Sequence, residues 1–170
     1  MEDSKAAAPV ARPAFVSGSK RLWIGRQWVA AQSGEEIDAI NPADGGVTAK
    51  LARGSAADVD RAVTAARKAF EGPWSRWTPN ERQKLLLRIN DLLLEHAEEL
   101  ATIETMDMGA PLARTRGTIG WISGLIRFFA SCTGAATTTT NSNSLPGRVM
   151  TLTHKAPLGV VGGIIPWNGP

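Results

Sequence analysis

A continuous apolar run near the end of the chain constrains the fold more than any other feature. Residues 159–165 read GVVGGII and contain no polar side chain. Such a run is typical of a parallel strand that is buried on both faces of a sheet. Because a strand of this kind needs helices packed on each side, the run predicts an α/β architecture. The following residues, Pro166, Trp167 and Asn168, would lie past the carboxyl end of the strand, where open α/β sheets place ligands.

Short β-like segments occupy the first part of the chain. From Leu22 onward they are separated by turn-forming sequences such as Asn41-Pro42 and the Ala-Asp-Gly-Gly of residues 43–46. Glycine supplies positive φ at a turn and Asp bonds to the nearby backbone, so the pattern predicts a small antiparallel meander. Residues 1–20 are rich in Ala, Pro, Ser and Gly, which predicts a flexible tail.

The apolar residues change to a helical period after residue 54. Residues 55–70 carry an apolar face, with Ser55 as the N-cap and Asp58 as an acid in the first turn. Residues 78–81, Thr-Pro-Asn-Glu, form a capping box with proline at the first helical position. Residues 55–58 and 78–81 therefore each predict the start of a helix.

The capping box is followed by leucines and isoleucines at helical spacing. They predict one long helix, or two abutting helices, that reach about Met108. Gly109 and Pro111 end this helical region. A further helix is predicted from Leu112 to about Cys132.

A Thr- and Val-rich stretch follows, with Pro146-Gly147 as a turn, and it predicts a β-hairpin. The hairpin has few large apolar residues, so we expect it to join a sheet of a partner chain or of missing sequence. The patterns divide the chain into a tail at 1–20, a meander and helices at 21–133, the hairpin at 134–157 and the strand at 158–170.

Composition excludes several classes of function. The net charge is +3, and the Lys and Arg residues are scattered without a run of five or six like charges, so we expect neither a nucleic-acid nor an acidic-membrane partner. No apolar stretch is long enough to cross a bilayer, so we expect no membrane partner. The opening residues include Glu2 and Asp3 and do not resemble a secretory signal. The single cysteine, Cys132, excludes an internal disulfide, and we expect a cytoplasmic location.

Most side chains that could carry chemistry have a structural interpretation. Free cysteines are usually small buried hydrophobes, and we assign that role to Cys132. His96 lies among acids on a helix and is expected to be solvated or to cap it, and His154 is expected to face outward on a strand. The glycines of residues 159–163 lie before and within the apolar run, so they do not form a dinucleotide-binding fingerprint.

Asn168 is the exception. An amide at the carboxyl end of a strand can aim its N–H donors at a developing oxyanion. Residue spacing alone leaves this role open beside a purely structural one.

These same residues carry a resemblance to a known family. The sequence APLGVVGGIIPWNGP at residues 156–170 resembles the segment P-x-G-V-x-x-x-I-x-P-W-N-x-P of NAD(P)-dependent aldehyde dehydrogenases. The likeness extends back through residues 57–111, which resemble the first helices of the family, and residues 22–46, which resemble its opening meander. It implies the fold class of the amino-terminal part of a Rossmann-like cofactor domain, with helices, a small β-meander and oligomerisation strands.

The resemblance also implies an activity. Members of the family oxidise an aldehyde to a carboxylic acid through a cysteine thiohemiacetal, hydride transfer to NAD or NADP, and hydrolysis of a thioester. Asn168 would donate its side-chain amide to the thiohemiacetal oxyanion. The cofactor cleft would be lined by Ile164, Ile165, Pro166 and Trp167. Asp107, with backbone oxygens before Asn41, would match the structural monovalent cation site of some members.

The hairpin corresponds to the strands through which the family assembles, which implies a homodimer or homotetramer. The small-molecule partner would be an aldehyde.

The sequence departs from the family in several places. Cys132 does not match the motif of the catalytic cysteine, and no residue matches the general-base glutamate. Phe128 and Phe129 replace tyrosines that are common in the family, and Gly169 stands where many members have an aromatic residue. We therefore expect the amino-terminal portion of an aldehyde dehydrogenase, inactive by itself. The alternative is a non-catalytic oligomerisation or regulatory remnant of such an enzyme.

Overall fold

The computed structural model of the chain describes residues 11–135 and 138–169. A small β region comes first, a group of helices follows, and a β-hairpin and an extended segment come last. The helices are α1 (Ala56–Glu71), α2 (Pro79–Glu95), α3 (Ala97–Met108) and α4 (Leu112–Cys132). The strands are β1 (Ser19–Lys20), β2 (Leu22–Ile24), β3 (Gln27–Val29), β4 (Glu36–Ile40), β5 (Val47–Ala52), β6 (Thr138–Asn141) and β7 (Thr151–His154).

The helix ends confirm the capping signals read from the sequence. At the start of α2, the Glu81 carboxylate accepts hydrogen bonds from the Thr78 backbone N–H at 2.7 Å and from its hydroxyl at 2.7 Å. The predicted long helix is two abutting helices, α2 and α3, which meet at His96. Gly109 ends α3 with φ of 76°, in the left-handed region that favours glycine.

Helix α4 lies against both α2 and α3. Between α2 and α4, the Ser123 hydroxyl donates a buried hydrogen bond of 2.7 Å to Oδ1 of Asn90. Between α3 and α4, the hydroxyls of Thr105 and Thr115 lie 2.9 Å apart, and Thr115 is fully buried. Buried polar groups of this kind are satisfied by one another, so they fix the register of the helices as well as contributing to packing.

The predicted antiparallel meander is divided into two sheets. Strands β2 and β3 form a hairpin, while β4 pairs with β5 in antiparallel register. The other edge of β5 is occupied by β1, which runs parallel to it. The structure also differs from the predicted tail, because residues 14–16 form a turn of 3-10 helix and Val16 is buried. Residues 1–10 of that tail lie outside the described residues.

The predicted β-hairpin is present, with β6 antiparallel to β7. The strand predicted at 158–170 is absent from the described part of the structure, in which residues 155–166 form no strand and are mostly exposed. A strand of this sequence requires neighbours on both edges, and the structure shows none beside it in its described part. The strand therefore stays a prediction.

Asp58 ties the helices to the β region. Its side chain is 2% exposed, and its Oδ2 accepts hydrogen bonds from the Ser55 backbone N–H at 2.9 Å and the Ser55 hydroxyl at 2.8 Å. The Gln32 backbone N–H also donates to the Asp58 carboxylate and lies 3.2 Å from each of its oxygens. These bonds, those from Ser55 first, hold the pKa of Asp58 below its ordinary value of 3.8.

The lowered pKa predicts a loss of stability in acid. Because the folded state favours ionised Asp58, its contribution is complete above the ordinary pKa of 3.8 and is lost as the pH falls through the lower folded pKa. We expect Asp58→Asn to lower the melting temperature at neutral pH. Between neutral pH and about pH 3, the melting temperature of Asp58→Asn should fall less than that of the wild type. The exposed Asp60 of the same helix provides the control, Asp60→Asn. Equal acid sensitivity of wild type and Asp58→Asn would contradict the prediction.

Candidate functional site

The residues predicted to form the site follow one another on an extended segment. Pro166 fixes its own φ and restricts Ile165 to extended backbone, which explains the local conformation. Trp167 and Asn168 then form a turn. The apolar side chains of the segment are strongly exposed, Ile164 completely so and Trp167 to 80%. The segment thus presents the exposed apolar residues Ile164, Ile165, Pro166 and Trp167 directly before one amide.

Asn168 is available for hydrogen bonding. Its side chain is exposed, and no hydrogen bond to it is found among residues 11–135 and 138–169. The amide carries two N–H donors. Residues 156–170 contain no charged side chain, so no carboxylate of this segment competes for those donors. The role of Asn168 as an oxyanion donor stays a prediction.

The other candidates lie on different elements. Cys132 ends α4 and is half-buried. His154 is exposed at the end of β7, as expected. His96 joins α2 to α3, and its Nδ1 lies 3.3 Å from Oε2 of Glu99. The imidazole is 53% exposed and makes no capping hydrogen bond, so the structure supports the solvated interpretation of His96 and not the capping one.

Asp107 lies exposed in the last turn of α3, and Gly109, which ends that helix, lies close to the Asn41-Pro42 turn. The contact is tight, because a Cβ added to Gly109 would lie 2.8 Å from Cγ of Pro42. Sequence reasoning missed this contact, although the glycine that ends α3 was recognised. This contact brings the end of α3 and the Asn41-Pro42 turn together.

A cavity of about 440 Å³ lies beside this contact, lined by Arg12, Asn41, Thr105 and other residues. Asp107 does not line it. The lining includes one cation, Arg12, and one carboxylate, Asp44. No group of three or more His, Cys, Asp or Glu residues arranged for a metal occurs in the described part of the chain. The cation role of Asp107 therefore stays a prediction.

None of the helices within the described ranges is long and apolar enough to cross a membrane.

Comparison with known proteins gives a consistent match. The model of the aldehyde dehydrogenase family matches residues 28–170. The cytosolic 10-formyltetrahydrofolate dehydrogenase of Xenopus laevis is 42% identical over 154 residues, which cover 88% of this chain and 17% of that protein. Aldehyde dehydrogenase 1 of Tanacetum cinerariifolium is 41% identical over 152 residues, 88% of this chain and 30% of that protein.

Solved structures agree with the sequence relatives. The NAD-dependent aldehyde dehydrogenase of Sinorhizobium meliloti superposes with a TM-score of 0.71 at 37% identity, covering 76% of this chain and 26% of that chain. This likeness confirms the fold class predicted from the sequence. The chain thus spans less than a third of the length of each of these proteins.

Proposed function

The chain belongs to the aldehyde dehydrogenase family, and on that basis we propose that it supplies the oxyanion donor and one wall of the cofactor cleft of an NAD(P)-dependent aldehyde dehydrogenase. The reaction is the oxidation of an aldehyde to a carboxylic acid through a cysteine thiohemiacetal and a thioester. The observation that carries the proposal is the family match over residues 28–170, which includes Asn168 and the exposed apolar residues before it. NAD or NADP would accept the hydride.

Asn168 has the chemical means to stabilise the oxyanion. When a thiolate adds to an aldehyde, the carbonyl oxygen becomes negative and needs donors that are already in place. The exposed amide of Asn168, held by a turn directly after Pro166, can provide one. The second donor would be a backbone N–H at the nucleophile. Restricted backbone before the turn limits the positions that the amide can take.

Ile164, Ile165, Pro166 and Trp167 would hold the cofactor by apolar contact. These four residues directly precede the amide, and their side chains are exposed. Exposed apolar side chains suit the apolar lining that is common in cofactor sites. They carry no charge that would distinguish NAD from NADP, so the choice between the two depends on other residues.

The proposed reaction is tested by assaying the full-length enzyme that contains this sequence. We expect NAD(P)H to form on addition of an aldehyde and NAD+ or NADP+, with release of the carboxylic acid. A panel of short aliphatic and aromatic aldehydes would define the substrate class. Absence of turnover with every aldehyde and both cofactors would contradict the proposal. The proposal also includes a small-molecule aldehyde as the substrate and a cytoplasmic location for the enzyme.

The β6–β7 hairpin is proposed to assemble the enzyme into a homodimer or homotetramer. The two strands pair with each other through residues 138–141 and 151–154, and β6 and β7 form a sheet of their own. Leu152 is 57% exposed on β7, and Val149 and Met150, which precede this strand, are exposed as well. Edge strands of this kind readily pair with another chain.

Assembly through the hairpin predicts self-association of the 170-residue chain. In sedimentation velocity, we expect species larger than a monomer and poor solubility. Leu152→Lys should shift the chain toward the monomer, because a lysine on an edge strand opposes pairing. Leu94→Lys on α2 introduces the same charge at another exposed apolar position and should have little effect. A soluble wild-type monomer with a cooperative melting transition would contradict the proposal.

A further inference from the structure

Aromatic and basic side chains gather on the outer side of the β2–β3 hairpin. Trp23 and Trp28 are directly opposite each other in the strand pair, with ring centroids 5.0 Å apart. They are 57% and 53% exposed. Because side chains alternate along a strand, Leu22, Ile24 and Val29 point the other way. Those three are half-buried, and β2 contacts α1.

The preceding segment adds cations to the same side. Nζ of Lys20 lies 4.8 Å from the centroid of the Phe15 ring. A shallow cavity of about 270 Å³ is lined by Phe15, Lys20, Arg21 and Trp28, together with Ser19. We call Phe15, Lys20, Arg21, Trp23 and Trp28 the aromatic–basic face.

The stretch of chain that carries this face contains basic residues and no acidic ones. Residues 11–34 contain no Asp or Glu, so no neighbour in that stretch neutralises the cations. A further cation stands at the tip of the hairpin, where Gly25 and Arg26 have φ of 59° and 69°. Arg26 is the one residue other than glycine with positive φ in the described ranges. This conformation suits Gly or Asn better, so the turn accepts strain while it presents an arginine.

The aromatic–basic face is separate from the proposed site. The residues of the proposed site are 164–168, on a different segment of the chain. Neither the oxyanion donor nor the cofactor wall uses these side chains.

We propose that the aromatic–basic face docks the protein on the surface of an anionic phospholipid bilayer. Tryptophan and phenylalanine rings suit the boundary between headgroups and acyl chains. Lysine and arginine beside them are attracted to anionic headgroups, each strengthening binding about fivefold. The expectation of no membrane partner rested on spanning segments and runs of like charge, and a folded surface of this kind needs neither.

Single-stranded nucleic acid also combines aromatic stacking with cations, but it needs a groove that follows several phosphates. The cavity here is small and shallow, and three of its lining residues, Lys20, Arg21 and Ser19, are consecutive in sequence. The face therefore fits a flat anionic surface better than a chain of phosphates.

Cosedimentation with vesicles tests this proposal. We expect the full-length enzyme that contains this sequence to stay in solution without vesicles and to bind phosphatidylcholine vesicles that contain phosphatidylserine, with binding that increases with the anionic fraction and weakens with salt. Lys20→Gln combined with Arg21→Gln should lower the association constant about 25-fold. Trp23→Thr keeps a residue suited to a strand, and it should also weaken binding.

The matched control is Lys84→Gln combined with Arg88→Gln, which removes the same charge from exposed positions on α2. Circular dichroism checks that each variant folds. Retention of vesicle binding by the control alone supports the proposal. Equal losses in the two double variants would show a bulk charge effect and overturn it. Absence of vesicle binding, or binding only to a single-stranded oligonucleotide, would overturn it as well.

Discussion

Replacing Asn168 by alanine in the full-length enzyme is expected to lower kcat by about 100- to 1,000-fold, which corresponds to about 2.7–4 kcal/mol of lost transition-state stabilisation. The physical reason is that the oxyanion forms only as the thiolate adds to the aldehyde. Its donor therefore acts on the transition state and not on the bound cofactor. Because Ile164–Trp167 are unchanged, the Kd for NAD(P)+ should change little.

Two further variants sharpen the test. Asn168→Asp replaces N–H donors by a carboxylate, which repels an oxyanion, and it should be at least as damaging as alanine. Asn80→Ala removes an exposed amide from the first turn of α2 and should leave kcat unchanged. An Asn168→Ala enzyme with wild-type kcat would remove the oxyanion role. A large rise in the Kd for NAD(P)+ at unchanged kcat would instead assign Asn168 to cofactor binding.

The 170-residue chain assayed by itself is expected to show no aldehyde oxidation. Its only cysteine, Cys132, lies half-buried at the end of α4 and does not match the nucleophile motif of the family. Without an ionised thiol beside the aldehyde, no thiohemiacetal forms for Asn168 to stabilise. The measurement is NAD(P)H formation over hours with the purified chain.

Cys132→Ser provides the control for that assay. If the chain turns over an aldehyde and Cys132→Ser abolishes the activity, Cys132 is the nucleophile and the structural interpretation is overturned. Turnover that survives the substitution would show chemistry outside the thiohemiacetal route. For the full-length enzyme, Cys132→Ser should leave kcat close to wild type.

The helices could be predicted from the sequence because their ends are specified locally. Thr78 and Glu81 are three residues apart and satisfy each other whatever packs around them, and Gly109 ends α3 by its own freedom at positive φ. The hairpin was predictable from its β-branched residues and the Pro146-Gly147 turn, although its connection, residues 142–150, is longer than that turn. The family resemblance added the roles of Ile164–Asn168, which residue spacing alone left open.

The pairing of strands required the tertiary structure. Ser19 lies opposite Lys50, and nothing in either short segment specifies a parallel partner so far along the chain. The same holds for the aromatic–basic face, since Phe15, Lys20 and Trp28 read in sequence as parts of a tail and a meander. Sequence alone determined the helix ends, the turns and the apolar run, because neighbouring residues supply their own hydrogen bonds and backbone preferences. The tertiary structure alone decided which distant segments meet, because hydrogen bonds and burial between them depend on the path of the whole chain.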